Sequence, residues 1–230
     1  MPTPLRIGVF SIQPLTFPRD TVCLEGLREH GHELKEYVIQ GRGLKEKMRQ
    51  LLRIYRGTRH EYDIIYVAYV SGLLVPLLAL LSRKPIFFNT LCSAYEGIIL
   101  DRCEGNASRL LALRVWMLDF IMYRLSDRIF VETESQKEFM ARTFFLSPKK
   151  LVRMWTSVDR HHFFPMDIKK REVFTVIFRG AFLPFVGVEY VIETAKLLQS
   201  DPTIHFIIAG RGMLQQRLET QIKEAGLQNI

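Results

Sequence analysis

Three groups of residues in this chain of 230 have the types and spacing to handle a phosphate, a hydroxyl or a developing charge. The first is Glu96, Asp101 and Arg102, which follow the apolar run PIFFNTL (Pro85 to Leu91). With that run as a strand, they gather in the crevice where ligands bind in open α/β sheets. A carboxylate there can orient a hydroxyl or take its proton; the competing reading is a surface ion pair between the neighbours Asp101 and Arg102. The second is Arg19, beside Phe17 and Pro18 after RIGVFSI (Arg6 to Ile12). It sits at the same sheet edge, either to meet a phosphate or as a solvated loop arginine. The third is FRGAFLPFVGVEYVIETAKLL (Phe178 to Leu198), a strand end, a tight apolar turn and an amphipathic helix. Unpaired N–H groups at the start of such a helix, and its dipole, favour an anion. Gly180 and Gly187 allow the backbone to approach one, though turn chemistry alone explains both equally well. The turn itself carries no cation, so Arg179 is the nearest positive charge.

Other arrangements point away from chemistry. Cys23, Cys92 and Cys103 lie far apart without a CxxC spacing, which predicts neither a disulfide framework nor a thiolate metal site and fits a reducing compartment. His161 and His162 lack a third partner at metal-ligand spacing and read as loop residues, with Asp159 bracing the same loop. No metal and no cofactor are expected. Glutamates eight apart occur at Glu25/Glu33 and Glu96/Glu104, and both read as chance spacings.

The elements that must position these groups alternate. RIGVFSI, HELKEYVI (His32 to Ile39), YDIIYVAYV (Tyr62 to Val70), PIFFNTL, DRIFVET (Asp127 to Thr133) and LVRMWTSV (Leu151 to Val158) are short apolar or β-rich runs with helical patterns between most of them. This predicts an α/β fold, a parallel sheet covered by helices on both faces. The charged stretch PMDIKKRE (Pro165 to Glu172) is read as a hinge dividing a domain at 1–164 from one at 173–230. Beyond it come strand Val173 to Gly180, a helix from about Gly187, strand Thr203 to Gly210 and helix Met213 to Gly226. Two strands are fewer than a doubly wound domain usually has, so the second domain is expected to be incomplete. The helix RLLALRVWMLDFIMYRL (Arg109 to Leu125), apolar almost all round, reads as buried core, with a share in a membrane-facing side as the second reading.

Composition bounds the rest. With 48% hydrophobic and 24% charged residues the chain is ordinary globular material. The N-terminus shows no signal-peptide pattern, and the apolar run Leu73 to Leu81 is well short of the roughly 20 residues of a spanning helix. The net charge of +8 is concentrated between Arg42 and His60, where seven Lys and Arg face the single acid Glu46. Leu44, Met48, Leu51, Leu52 and Tyr55 recur there at helical spacing, giving a basic amphipathic helix. It is either a solvated face of a core-packed helix or a surface for anionic lipid headgroups. Nucleic acid is disfavoured, because no docking module or aromatic-interleaved basic strand is present.

Four stretches together resemble the first two-thirds of a family-four glycosyltransferase, the retaining, nucleotide-sugar-dependent enzymes of GT-B architecture. FPRDTVCLEGLREHGHEL (Phe17 to Leu34) resembles the loop and first helix of one bacterial branch, and AYEGIILDR (Ala94 to Arg102) its acidic segment after the fourth strand, with Glu96 where aspartate is common. VDRHHFFP (Val158 to Pro165) matches the close of the first domain, and GAFLPFVGVEYVIETAKLL with IHFIIAGRG the start of the donor domain. The resemblance implies two Rossmann-type domains, the second truncated. It implies a diphosphate at the Gly180–Gly187 turn and a nucleotide near Gly210 and Gly212. Many members carry an arginine and a lysine where this chain has Ala181 and Val186, leaving Arg179 as the substitute, or as the partner of a carboxylate. A Glu-x7-Glu pair late in the donor half is part of the family pattern and does not occur between 173 and 230.

The expectation is therefore a glycosyltransferase moving a sugar from a nucleotide diphosphate to a glycan or lipid-linked acceptor with retention. Glu96 and Asp101 are its candidate catalytic carboxylates, Arg179 and the four glycines its donor site, and Arg19 and Arg102 its acceptor or phosphate contacts. The 230 residues are expected to be an inactive piece, cytoplasmic and peripheral at the inner membrane face through the Arg42 to Arg59 helix. The alternatives are a non-catalytic membrane- or partner-binding fragment and, third, a basic nucleic-acid binder.

Overall fold

The computed structural model describes residues 3–103 and 106–230, so Glu104 and its spacing from Glu96 lie outside the described residues. By its internal contacts the chain divides into two units, Met1–Gly97 with Ala107–Phe164, and Ile98–Asn106 with Pro165–Ile230.

The first unit is built on six parallel strands, β1 (Arg6–Ser11), β2 (Glu33–Val38), β3 (Ile64–Val67), β4 (Ile86–Leu91), β5 (Arg128–Val131) and β6 (Leu151–Arg153), in the order β2-β1-β3-β4-β5-β6. The crossovers are α1 (Pro18–Glu29), α2 (Leu44–Thr58), α3 (Leu74–Leu81), α4 (Arg109–Leu125) and α5 (Glu134–Thr143). Alternation along the strands supplies two apolar faces. Phe10, Ile65, Val67, Ile86, Phe88, Ile129 and Val131 join Leu51, Leu78, Met122 and Met140, which places α2, α3, α4 and α5 in one layer. Ile7, Val9, Tyr66 and Ala68 face the other way, against Leu24 of α1. This split follows from right-handed crossovers, because the chain moves one way from β1 to β2 and the other way thereafter.

Local signals fix the helix starts. Pro18 begins α1, where its missing N–H is no loss, and Thr133 with Gln136 forms a reciprocal capping box at α5. One expectation is overturned at α4. Only Asp119, Met122 and Tyr123 of this helix are buried, while Leu110, Leu113, Met117, Leu118, Ile121 and Leu125 are exposed. Apolar composition predicted a core helix; α4 instead packs by one edge and turns a mostly apolar face outward.

In the second unit β7 (Phe174–Ala181) and β8 (Ile204–Arg211) pair in parallel, Gly180 opposite Gly210. Helices α6 (Val188–Leu197) and α7 (Gln215–Glu224) cover one sheet face, packing Val176, Phe178, Phe206 and Ile208 against Val188, Ile192 and Leu218. The opposite face, with Ile177 and Arg179, is exposed.

Candidate functional site

The strand ends of the first sheet carry its most constrained backbone. Val70, three residues beyond β3, has φ 63°, and Leu91 at the end of β4 has φ 61°. The left-handed region is strained for any residue with a Cβ and most of all for a β-branched one. Such outliers persist only where their surroundings over-determine them, and beneath these two lies a buried polar network that does so.

The network starts in the first turn of α1. Asp20 Oδ1 accepts from Tyr66 Oη at 2.9 Å and from Asn89 Nδ2 at 2.7 Å, and its Oδ2 accepts from the Tyr69 backbone N–H at 3.1 Å. Arg19 Nε donates to Asn89 Oδ1 at 2.8 Å and Nη1 to the Met154 carbonyl at 2.5 Å. Arg19 Nη2 is also buried and has no hydrogen-bond partner among the described residues. Helix α1, strands β3 and β4 and the segment after β6 are thus joined at one point. Burial pushes the Asp20 carboxyl up, against the hydrogen bonds from Asn89, Tyr66 and Tyr69 and the nearby Arg19 charge, and pulls the Arg19 guanidinium down. Both shifts report charges taken out of water and only partly repaid by their partners.

A second buried acid stands at the next strand end. Asp119, the one acid in α4, points its Oδ2 at the backbone N–H of Tyr95, 2.7 Å away. Tyr95 opens a π-helical turn, Tyr95–Leu100, and Glu96 is its second residue, with its N–H donated to Ser93 Oγ at 3.0 Å. Burial raises the Asp119 carboxyl to about 6, with backbone N–H groups of Tyr95 and Ala94 working against the shift and the charge of Glu96 adding to it. Asp119 therefore does for this turn what a capping residue does for a helix, from another helix. Tyr123 Oη meets Thr90 Oγ1 at 3.0 Å beside it.

The residues picked from the sequence land in different surroundings. Arg19 is not a solvated loop arginine: it lies in α1 with 1% of its surface exposed, its Nε and Nη1 engaged by protein groups. Glu96 belongs to the first unit, whereas Asp101 and Arg102 fall with the second, so the three do not form one cluster within either unit. Arg102 holds its guanidinium 5.8 Å from the centroid of the Phe185 ring. In the second unit the glycines answer chiefly to packing. A Cβ on Gly210 would stand 1.9 Å from the Gly180 carbonyl oxygen, and one on Gly212 2.4 Å from that of Phe182. Gly187 (φ 75°) is the N-cap of α6 and needs the left-handed region. Gly180 has no such need, with only the Phe178 ring nearby at 3.3 Å. Arg179 stands on the exposed sheet face, opposite to α6 and α7.

Asp159 braces its loop, accepting from the His161 backbone N–H at 2.8 Å and facing His162 Nδ1 at 2.7 Å. His161 Nε2 meets Glu25 of α1 at 3.1 Å, and Arg160 pairs with Glu29. Among the described residues no group of three His, Cys, Asp or Glu could hold a metal ion, and no helix is long and apolar enough to cross a membrane.

Sequence reasoning missed Asp20, Tyr66, Asn89 and Asp119 as members of a site. Two signals were available: Asn89 interrupts an otherwise apolar strand, and Asp119 is the lone acid of an apolar helix. A buried polar side chain among apolar neighbours must find partners.

No family model and no curated protein matches the chain. Solved structures do. The apo form of the lipopolysaccharide outer core galactosyltransferase WaaB matches with TM-score 0.60 and 12% identity, over 96% of this chain and 65% of that one. A mutant of S. aureus TarM in complex with fondaparinux, alpha-GlcNAc-glycerol and UDP matches with TM-score 0.53 and 14% identity, over 79% of this chain and 35% of that one. A further TarM structure matches with TM-score 0.53 and 15% identity, over 77% and 34%. The chain thus has a GT-B-like fold and spans between a third and two-thirds of these neighbours' length.

Proposed function

We propose that this chain is the acceptor-side domain and the first part of the donor domain of a retaining glycosyltransferase, one that moves a sugar from a nucleotide diphosphate to a glycan or lipid-linked acceptor. The observation that carries the proposal is the GT-B-like fold together with a constrained, polar C-terminal sheet edge, where ligands of open α/β sheets bind. One neighbour is a galactosyltransferase by name, and another was crystallised with UDP and alpha-GlcNAc-glycerol.

In this reading Glu96, held by the turn that Asp119 caps, orients the acceptor hydroxyl and takes its proton. Asp101 and Arg102 are secondary candidates for the acceptor and its phosphate. The donor diphosphate rests on the backbone amides at the start of α6, with Gly180, Gly187, Gly210 and Gly212 shaping the approach, while Arg179, on the sheet face away from α6, is not its direct contact. Arg19 acts from beneath, as a buried brace. Leaving-group charge is met by amides and cations. The anionic face of the membrane is a further partner, drawn to α2 by its positive charge.

The test is turnover by the complete protein with a panel of nucleotide sugars and glycan or lipid-linked acceptors, the product's anomeric configuration read by NMR. Transfer with the donor's configuration kept is the expected result. An inverted product overturns retention, and failure of every nucleotide sugar to bind overturns the proposal. Glu96→Gln is expected to lower turnover about 100-fold or more with little change in donor affinity.

A further inference from the structure

Helices α2, α3 and α4 share one layer over the first sheet, and their outward surfaces have one chemistry. Leu44 and Met48 of α2, Leu73 and Leu80 beside and on α3, and the row from Leu110 to Leu125 on α4 are exposed. Leu80 is 82% exposed, an extreme value for a leucine in a folded unit. Between α2 and α3 runs a cavity of about 330 Å³ whose walls are Leu44, Met48, Leu51, Leu74, Leu77 and neighbouring side chains, with Lys47 the charged group in its lining. Contiguous apolar surface on this scale marks a contact with something other than water.

The cations of the layer say what that is. Lys45, Arg49, Arg53, Arg56 and Arg59 are exposed along and after α2, Arg83 after α3, and Arg109, Arg114 and Arg124 on α4. Against them stands Glu46, while Asp119 is buried on the inner side. At 100° per residue the exposed apolar positions 44 and 48 of α2 adjoin the basic positions 45, 49, 56 and 59, the arrangement of a helix lying in a headgroup boundary. A second copy of the chain is a poor occupant, because a two-fold contact would set this positive layer against itself.

We infer that the α2–α3–α4 layer inserts as a unit into an anionic bilayer, its leucines entering the acyl region and its arginines and lysines meeting lipid phosphates. An acyl chain fills the groove between α2 and α3. The inference rests on the charge-driven membrane contact assigned to α2 above and adds an apolar, salt-resistant component spread over three helices.

Co-sedimentation of the 230-residue chain with phosphatidylcholine vesicles, with and without phosphatidylglycerol, separates the two components. At about 0.1 M salt binding to the anionic vesicles is expected, and at about 1 M, where the Debye length is only about 3 Å, part of it persists. Arg49→Glu with Arg56→Glu weakens low-salt binding by well over tenfold, since each interfacial cation contributes roughly fivefold. Leu80→Asp with Leu113→Asp removes the salt-resistant part; both side chains are exposed, and circular dichroism checks that the fold is kept. Complete release at high salt, with no effect of the leucine changes, overturns the insertion and leaves the charge contact of α2 standing. Absence of binding to any vesicle overturns both. Self-association in the absence of lipid, abolished by the leucine changes, assigns the face to a second copy and also overturns the insertion.

Discussion

The two units handle the end of a parallel strand in opposite ways. In the first, β3 and β4 end on strained residues, Val70 and Leu91, held over a buried network in which charged and amide side chains from α1, β3 and β4 bond to each other and to the Met154 carbonyl. In the second, glycines stand next to the ends of β7 and β8, Gly180 and Gly210 one residue before the end and Gly212 just after β8, and backbone packs on backbone there, Gly210 against the Gly180 carbonyl and Gly212 against that of Phe182. One set of strand ends is held by interlocked side chains, and the other by close backbone approach at glycines. Side-chain networks fix the direction of functional groups, as Asp119 does for the Glu96 turn; glycine turns leave amides open at a helix start, as at α6. Under the proposed function, the first kind of strand end would aim a hydroxyl and the second would cradle a diphosphate.

Substitutions can break this comparison. The largest effect is expected from Asp20→Ala, which leaves the Tyr66 hydroxyl, the Asn89 amide and the Tyr69 N–H buried without their acceptor and removes a negative charge that offsets the buried Arg19. A loss of about 3–5 kcal/mol in urea denaturation is expected, and a loss below about 1 kcal/mol would mean the network does not hold the edge. Next is Gly210→Ala, whose methyl meets a backbone oxygen that cannot rotate away. It is expected to lower stability by about 3 kcal/mol, seen in the second unit's amide exchange before the first unit's.

Asp119→Asn sharpens the comparison through pH. The folded Asp119 carboxyl titrates near 6 against an ordinary 3.8, so between these values the folded state binds more protons than the unfolded one. Stability from this group therefore falls as pH rises from about 4 to about 6, by up to about 3 kcal/mol. Asparagine keeps the acceptor for the Tyr95 N–H and removes the charge, so the melting temperature near pH 7 should rise and its slope in that window flatten. The smallest change is at Val70: Val70→Gly, at a half-exposed left-handed position, should raise stability by about 1 kcal/mol in thermal melts, and a loss of stability would show that the position is not strained.

Much of the architecture was legible in the sequence. Parallel strands covered on both faces are short apolar runs, and all six of the first sheet lie within the stretches read as strands. They end earlier than the apolar runs do: Tyr62 to Val70 contributes only Ile64–Val67, because the residues beyond it bend into the strained edge. The buried polar network was less legible. Asp20 and Asn89 are 69 residues apart, and nothing local in either stretch announces the other. In the sequence Arg19 is open to two readings, a phosphate contact or a solvated loop arginine, and neither anticipates burial; Pro18 opens a helix here and carries Arg19 into its first turn. Helix α4 departs from the core reading because hydrophobicity records what a side chain avoids and not what covers it, and only Asp119, Met122 and Tyr123 of this helix are buried.

The hydrogen bond from Arg19 to the Met154 carbonyl joins residues 135 apart in the chain. During synthesis β1 and α1 leave the ribosome long before that carbonyl exists, and the Arg19 charge waits without its last fixed acceptor. Closure of the sheet edge is thus timed by the emergence of residue 154 from the exit tunnel. Nascent chains stalled short of that point should remain open to proteases at α1, where longer ones are closed.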